Sequence, residues 1–165
     1  MCIRDSGGTD RGAVYVLFLN SNGTVKASQK ISSTQGGLTA SGVSLDNEDF
    51  FGASVASVGD VDGDTVTDIC VGATRDDDGG NNRGALYVLF LNSNGTVKSS
   101  QKISSTEGGL SESGVSLNNT DQFGISVAAV GDLDGDSVTD ICVGCLLYTS
   151  PSPRDATLSR MPSSA

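Results

Sequence analysis

An all-β fold made of four-stranded antiparallel sheets is predicted by three observations. First, the chain repeats itself at an offset of 72 residues: RGAVYVLFLNSNGTVKASQKISSTQGG from Arg11 returns as RGALYVLFLNSNGTVKSSQKISSTEGG from Arg83. Second, the composition is poor in charge (18%) and rich in Gly (22 residues), with Ser, Thr, Asn, Val and Leu prominent, a profile of strands joined by turns. Third, each copy alternates short β-branched, apolar runs with turn-forming clusters, which is the strand pattern rather than the helical one. Repetition of such sheets along one chain is the signature of propeller blades.

Taken in order, GAVYVLFL from Gly12 to Leu19 is apolar on both faces, as expected of a strand covered on both sides. Asn22-Gly23 follows and predicts a tight type I′ hairpin turn. The returning strand TVKASQKI alternates, with Thr24, Lys26, Ser28 and Lys30 on one face, and its lysines discourage edge pairing. A Gly/Ser-rich connection, Gln35 to Asp49, leads to FGASVASV from Phe51. The run DVDGDTVTD, Asp60 to Asp68, then joins that strand to DICVG, and DLDGDSVTD, Asp132 to Asp140, does the same in the second copy. The order is a meander of inner strand, acidic loop, second strand, polar loop, third strand, Asn-Gly turn and outer strand.

Eight of the 20 acidic residues lie in these two loops, against 10 basic residues in the chain. Carboxylates this close repel one another unless a cation compensates them. Asp60, Asp62, Asp64 and Asp68 stand at loop positions 1, 3, 5 and 9, and Asp132, Asp134, Asp136 and Asp140 repeat the spacing. The main-chain carbonyls of Val66 and Val138, at position 7, can add a further oxygen. An all-oxygen donor set of this size suits Ca2+, one ion per loop, ahead of Mg2+. The loop opens like an EF-hand but lacks Gly at position 6 (Thr65, Ser137) and Glu at position 12 (Val71, Val143), and strands flank it.

Phe51-Gly52, the DxDGDxxxD loop and Val71-Gly72-Ala73 together resemble the FG-GAP repeat of integrin alpha-chain propellers and their bacterial relatives. The resemblance covers about residues 7–144. It implies a seven-bladed, usually extracellular or cell-surface propeller with structural calcium in the loop between the first two strands of a blade. Its metal ligands map onto the eight aspartates just named. Thr65 and Ser137 depart from the Gly that is common there, and a β-branched residue is costly if positive φ is required. In this frame residues 7–50 end one repeat, 51–122 form a complete one and 123–144 begin a third. The repeat fails abruptly in residues 1–6 (MCIRDS) and 145–165, which read as adapter-derived, non-native segments. One complete and two partial blades imply further blades as partners.

The absence of histidine excludes imidazole catalysis and His-ligated zinc, and the net charge of -10 argues against nucleic acid and anionic membrane as partners. No run approaches the roughly 20 apolar residues of a membrane-spanning helix. No enzyme is expected, and the resemblance implies adhesion or binding of a protein or glycan ligand. The alternatives are an accessory domain of a secreted hydrolase and an architectural spacer. Phe51 and Phe123 are expected to fill gaps between blades while Gly52 and Gly124 allow close backbone approach. Of Cys2, Cys70, Cys142 and Cys145, the matched pair Cys70 and Cys142 read as small core side chains. Asp76, Asp77 and Asp78 read as a solvated loop, with a second cation site as the alternative. Asn22, Asn94 and Asn118 lie in glycosylation sequons.

Overall fold

The computed structural model describes residues 7–146, so the expectations for residues 1–6 and 147–165, Cys2 among them, lie outside it. Eight strands follow in order: β1 (Val14–Leu19), β2 (Val25–Ile31), β3 (Phe51–Gly59), β4 (Asp68–Ala73), β5 (Ala85–Leu91), β6 (Val97–Ile103), β7 (Ser126–Gly131) and β8 (Asp140–Gly144). They form a two-stranded sheet β1-β2, a four-stranded meander β3-β4-β5-β6 and a two-stranded sheet β7-β8, all antiparallel. The meander is the complete propeller-type blade that the sequence predicts.

Alternation along β4 and β5 sends side chains to both faces of this blade. Val71, Ala73, Tyr87, Leu89 and Leu91 join Val14 and Ile31 in one core, toward β1-β2. Cys70 and Leu86 join Phe123 in a second core toward β7-β8, with Val127, Ile141 and Val143 packed against it. Each face of the central strands is therefore buried against a neighbouring sheet, which explains why they read as near-continuous apolar runs. The connection between β2 and β3 is more than a polar linker, because it drives Leu38, Val43 and Leu45 into the first core.

The Phe-Gly pairs work as expected. Phe51 and Phe123 are buried. Gly52 and Gly124 adopt φ of 91° and 86°, and a Cβ on either would stand 2.7 Å from the carbonyl oxygen of Ala13 or Ala85 in the neighbouring segment. Only glycine combines that conformation with that approach.

Two expectations need correction. The hairpin turns are not type I′: only Gly23 and Gly95 take positive φ, and Asn22 and Asn94 do not. The loop is one residue longer, closed by the Asn20 amide donating to the Thr24 carbonyl (2.8 Å), with a register shift after Phe18. A type I turn followed by a left-handed glycine fits this geometry. Asn22 Oδ1 accepts from the Thr24 amide, so the asparagine is used for its side chain instead of its φ. Cys142 is exposed whereas Cys70 is buried, because β8 has no strand beside it to match β5 among the described residues.

Candidate metal centre

In the meander, the β3–β4 and β5–β6 turns share one end of the blade. The β4–β5 loop and the approach to β3 share the other. The acidic loops occupy the first end. Three of the four aspartates of each loop converge: Asp60, Asp62 and Asp64 each present a carboxylate oxygen within 4.8 Å of the others, and Asp132, Asp134 and Asp136 do the same. All six are exposed.

The first aspartate of each loop builds the turn. Asp60 Oδ1 accepts the amides of Gly63 (2.8 Å) and Asp64 (2.9 Å), and Oδ2 accepts that of Thr65 (2.8 Å). Asp132 binds the amides of Gly135, Asp136 and Ser137 in the same way. Curling the backbone around one carboxylate aims the side chains at positions 3 and 5 back toward it. The same curl forces position 6 into the left-handed region, with φ of 72° at Thr65 and 73° at Ser137. A β-branched side chain there stores strain of order 1–3 kcal/mol.

The fourth aspartate stands apart from this cluster. Asp68 is fully buried at the start of β4, where Oδ2 accepts the Val61 amide (2.9 Å) and Oδ1 accepts the Leu91 amide (2.9 Å). It ties the acidic loop to the end of β5. Asp140 keeps only the first of these bonds, from the Leu133 amide (2.6 Å). Val66 packs its side chain against the first core and donates its amide to Asp64 Oδ1, and the Val138 amide makes the matching bond to Asp136.

Sequence patterning missed Lys98. It projects from the start of β6 and ion-pairs with both Asp62 and Asp64. That ammonium holds the Asp64 carboxyl below its ordinary range, and the two carboxylates in turn raise the lysine. It supplies one positive charge to a cluster of three negative ones. Three exposed carboxylates from one tight loop, with no soft donor among them, fit a hard divalent cation. In the first loop such an ion has to displace Lys98; in the second, no ion pair forms among the described residues. Only the meander, which folds β6 back to the β3–β4 turn, brings this lysine within reach.

The opposite end carries a second polar group that sequence reading underestimated. Asp76 is buried, not solvated: it accepts the Tyr87 hydroxyl (2.7 Å) and the Lys102 ammonium (3.0 Å). Asp78 accepts from Ser104 and Thr106, and Lys102 lies 3.4 Å from it. Asp49, also buried, accepts the Asp46 amide (2.7 Å). Burial pushes its pKa up to about 7; the Asp46 amide opposes this and the nearby Asp76 charge adds to it. A cavity of about 260 Å3 opens between these groups, lined by Ser44, Asp46, Asp49, Asp76, Asp77, Asp78 and Lys102.

Comparison with known proteins matches residues 51–89 to the FG-GAP repeat, the segment that holds β3, the acidic loop, β4 and most of β5. Integrin alpha-11 of Mus musculus is 30% identical over 147 residues, covering 86% of this chain and 10% of the relative. Integrin alpha-3 of Cricetulus griseus is 34% identical over 137 residues, 81% of this chain and 11% of the relative. Integrin alpha-2 of Mus musculus is 34% identical over 98 residues, 58% of this chain and 8% of the relative. The chain thus spans about a tenth of the length of the curated relatives it matches.

Proposed function

Because the chain is an FG-GAP repeat protein of the integrin alpha-like kind, we propose that it is a calcium-binding propeller module that works outside the cell in adhesion or ligand binding. The convergence of Asp60, Asp62 and Asp64, repeated at Asp132, Asp134 and Asp136, carries the metal part of this reading. The ion's role is structural. When bound, it neutralises carboxylates that otherwise repel and locks the β3–β4 turn, so its binding energy adds to folding stability. Asp60 and Asp132 shape the loops, Asp134 and Asp136 offer carboxylates clear of any ion pair among the described residues, and Asp62 and Asp64 do so once Lys98 is displaced. Asp68 and Asp140 serve from the second layer, and the Val66 and Val138 carbonyls complete the set.

The ligand surface in this reading is the opposite end of the blade, where Gln35–Asp49 and Arg75–Arg83 come together. Loops on a rigid sheet are the usual carriers of recognition. The acidic cavity at that end favours a ligand, protein or glycan, that presents positive charge. Adhesion and extracellular location come from likeness to integrin alpha chains.

A calcium titration by calorimetry tests the metal assignment, run on the 165-residue chain beside the Asp62→Ala, Asp134→Ala double variant. Two sites in the parent and none in a variant that keeps its β-sheet circular dichroism are expected. A folded parent that takes up no calcium overturns the assignment.

A further inference from the structure

Within the complete blade, Lys98 stands on the oxygen atoms that a divalent ion needs. Asp60 commits both carboxylate oxygens to the amides of Gly63, Asp64 and Thr65. Asp64 commits Oδ1 to the Val66 amide, which leaves Oδ2. The Lys98 ammonium pairs with that atom and with Asp62 Oδ2. We propose that Lys98 is a built-in competitor for the first acidic loop: its ammonium takes the ion's place in the metal-free chain, weakens calcium binding there, and is released to solvent when calcium enters. This rests on the reading of Asp60, Asp62 and Asp64 as a calcium loop, and adds what sets the affinity of that loop.

The two occupants exclude each other. An ammonium has three donors and no lone pair, so it cannot join the all-oxygen shell of calcium. Two cations drawn to the same carboxylates also repel one another. The exchange needs only a side-chain rotation, because the root of the lysine is fixed. Val97 packs in the first core and its amide donates to the Gly36 carbonyl (2.8 Å). Asp68 braces the same end independently, accepting the amides of Val61 and Leu91 (2.9 Å each). When the lysine leaves, this brace still ties the acidic loop to the end of β5. The lysine side chain is 35% exposed, so its way out to solvent is open. The curl of the loop does not depend on it either. Asp132 accepts the amides of Gly135, Asp136 and Ser137 in the second loop, where no ion pair forms among the described residues.

Calcium calorimetry on the 165-residue chain carrying Asp134→Ala, so that only the first loop reports, is the test. One site is expected. Adding Lys98→Met, which keeps an unbranched apolar stem and removes the charge, should tighten that site about three- to tenfold. Lys98→Arg, which keeps the charge, should stay near the parent. All three proteins should share one β-sheet circular dichroism spectrum. A second readout is acylation of Lys98 by an N-hydroxysuccinimide ester, followed by peptide mapping of the Asp134→Ala chain. It should be slow in chelator and faster with calcium. Unchanged or weaker affinity in Lys98→Met overturns the competitor role and leaves the calcium loop standing. So does equal tightening in Lys98→Arg, or acylation that is the same with and without calcium. Folded proteins that all fail to take up calcium overturn the calcium reading, and this inference with it.

Discussion

The complete blade and the terminal hairpins have nearly the same sequence and very different surroundings. Val97 in β6 is 6% exposed and its copy Val25 in β2 is 54% exposed; Tyr87 is 2% exposed and Tyr15 is 43% exposed. Both copies of each pair form the same strand with the same register, down to the shift after Phe18 and Phe90. Secondary structure is therefore written locally in each 72-residue unit, while burial is conferred by the neighbouring unit. Repeat architectures behave this way because no unit can cover its own faces.

Matched substitutions would break or sharpen that contrast. The largest effect is expected from Leu89→Ala, which removes a fully buried side chain and should cost about 2–5 kcal/mol in denaturant unfolding. Leu17→Ala, measured at concentrations where chains do not associate, should stay within about 0.5 kcal/mol. Equal costs would mean that β1 is covered in solution in a way the single chain does not show.

Next comes the aspartate that closes the acidic loop. Asp68→Ala strands the amides of Val61 and Leu91 and should cost about 2–4 kcal/mol. Asp140→Ala strands one amide at an exposed turn and should cost about 1 kcal/mol or less. Thermal unfolding of the two variants side by side checks the ranking.

The third expectation concerns pH. The Asp49 carboxyl is pushed up to about 7 in the folded chain, from an ordinary value of 3.8. The folded state thus retains a proton that the unfolded state releases, so stability from this group falls as pH rises from about 4 to 7 and is level above. Asp49→Asn should remove that slope, seen as a smaller change in denaturant midpoint between about pH 5 and pH 8. An unaltered slope would place its origin elsewhere.

The smallest effect lies at loop position 6. Thr65→Gly relieves a β-branched residue at φ 72° but frees the unfolded chain, for a net gain of about 0.5–1 kcal/mol. Ser137→Gly, where the residue replaced is not β-branched, should gain less. A loss in either variant, read by melting temperature, would show that the side chain does something the backbone strain conceals.

How much of the molecule could be read beforehand follows the same division. The meander order, the Phe-Gly contacts and the clustering of alternate aspartates were legible, since each depends on residues close in sequence. The hairpin turn was misjudged because Asn-Gly serves two loop geometries, and only the pairing of Asn20 with Thr24 selects between them. Asp68 looked like its three neighbours, yet its surroundings are set by Leu91, 23 residues away. Lys98 and Lys102 resembled protective surface lysines until the fold placed one on each acidic end of the blade.

The sequence by itself determined the strands, their antiparallel order and the curled acidic turns, because hydrophobic alternation and side-chain-to-backbone bonds within a few residues suffice for these. Only the tertiary structure decided which copy of each residue is buried, which aspartate becomes a brace and which lysine becomes a counter-ion. Those outcomes depend on what lies across a sheet or on the next blade, and no pattern within one repeat records its neighbour.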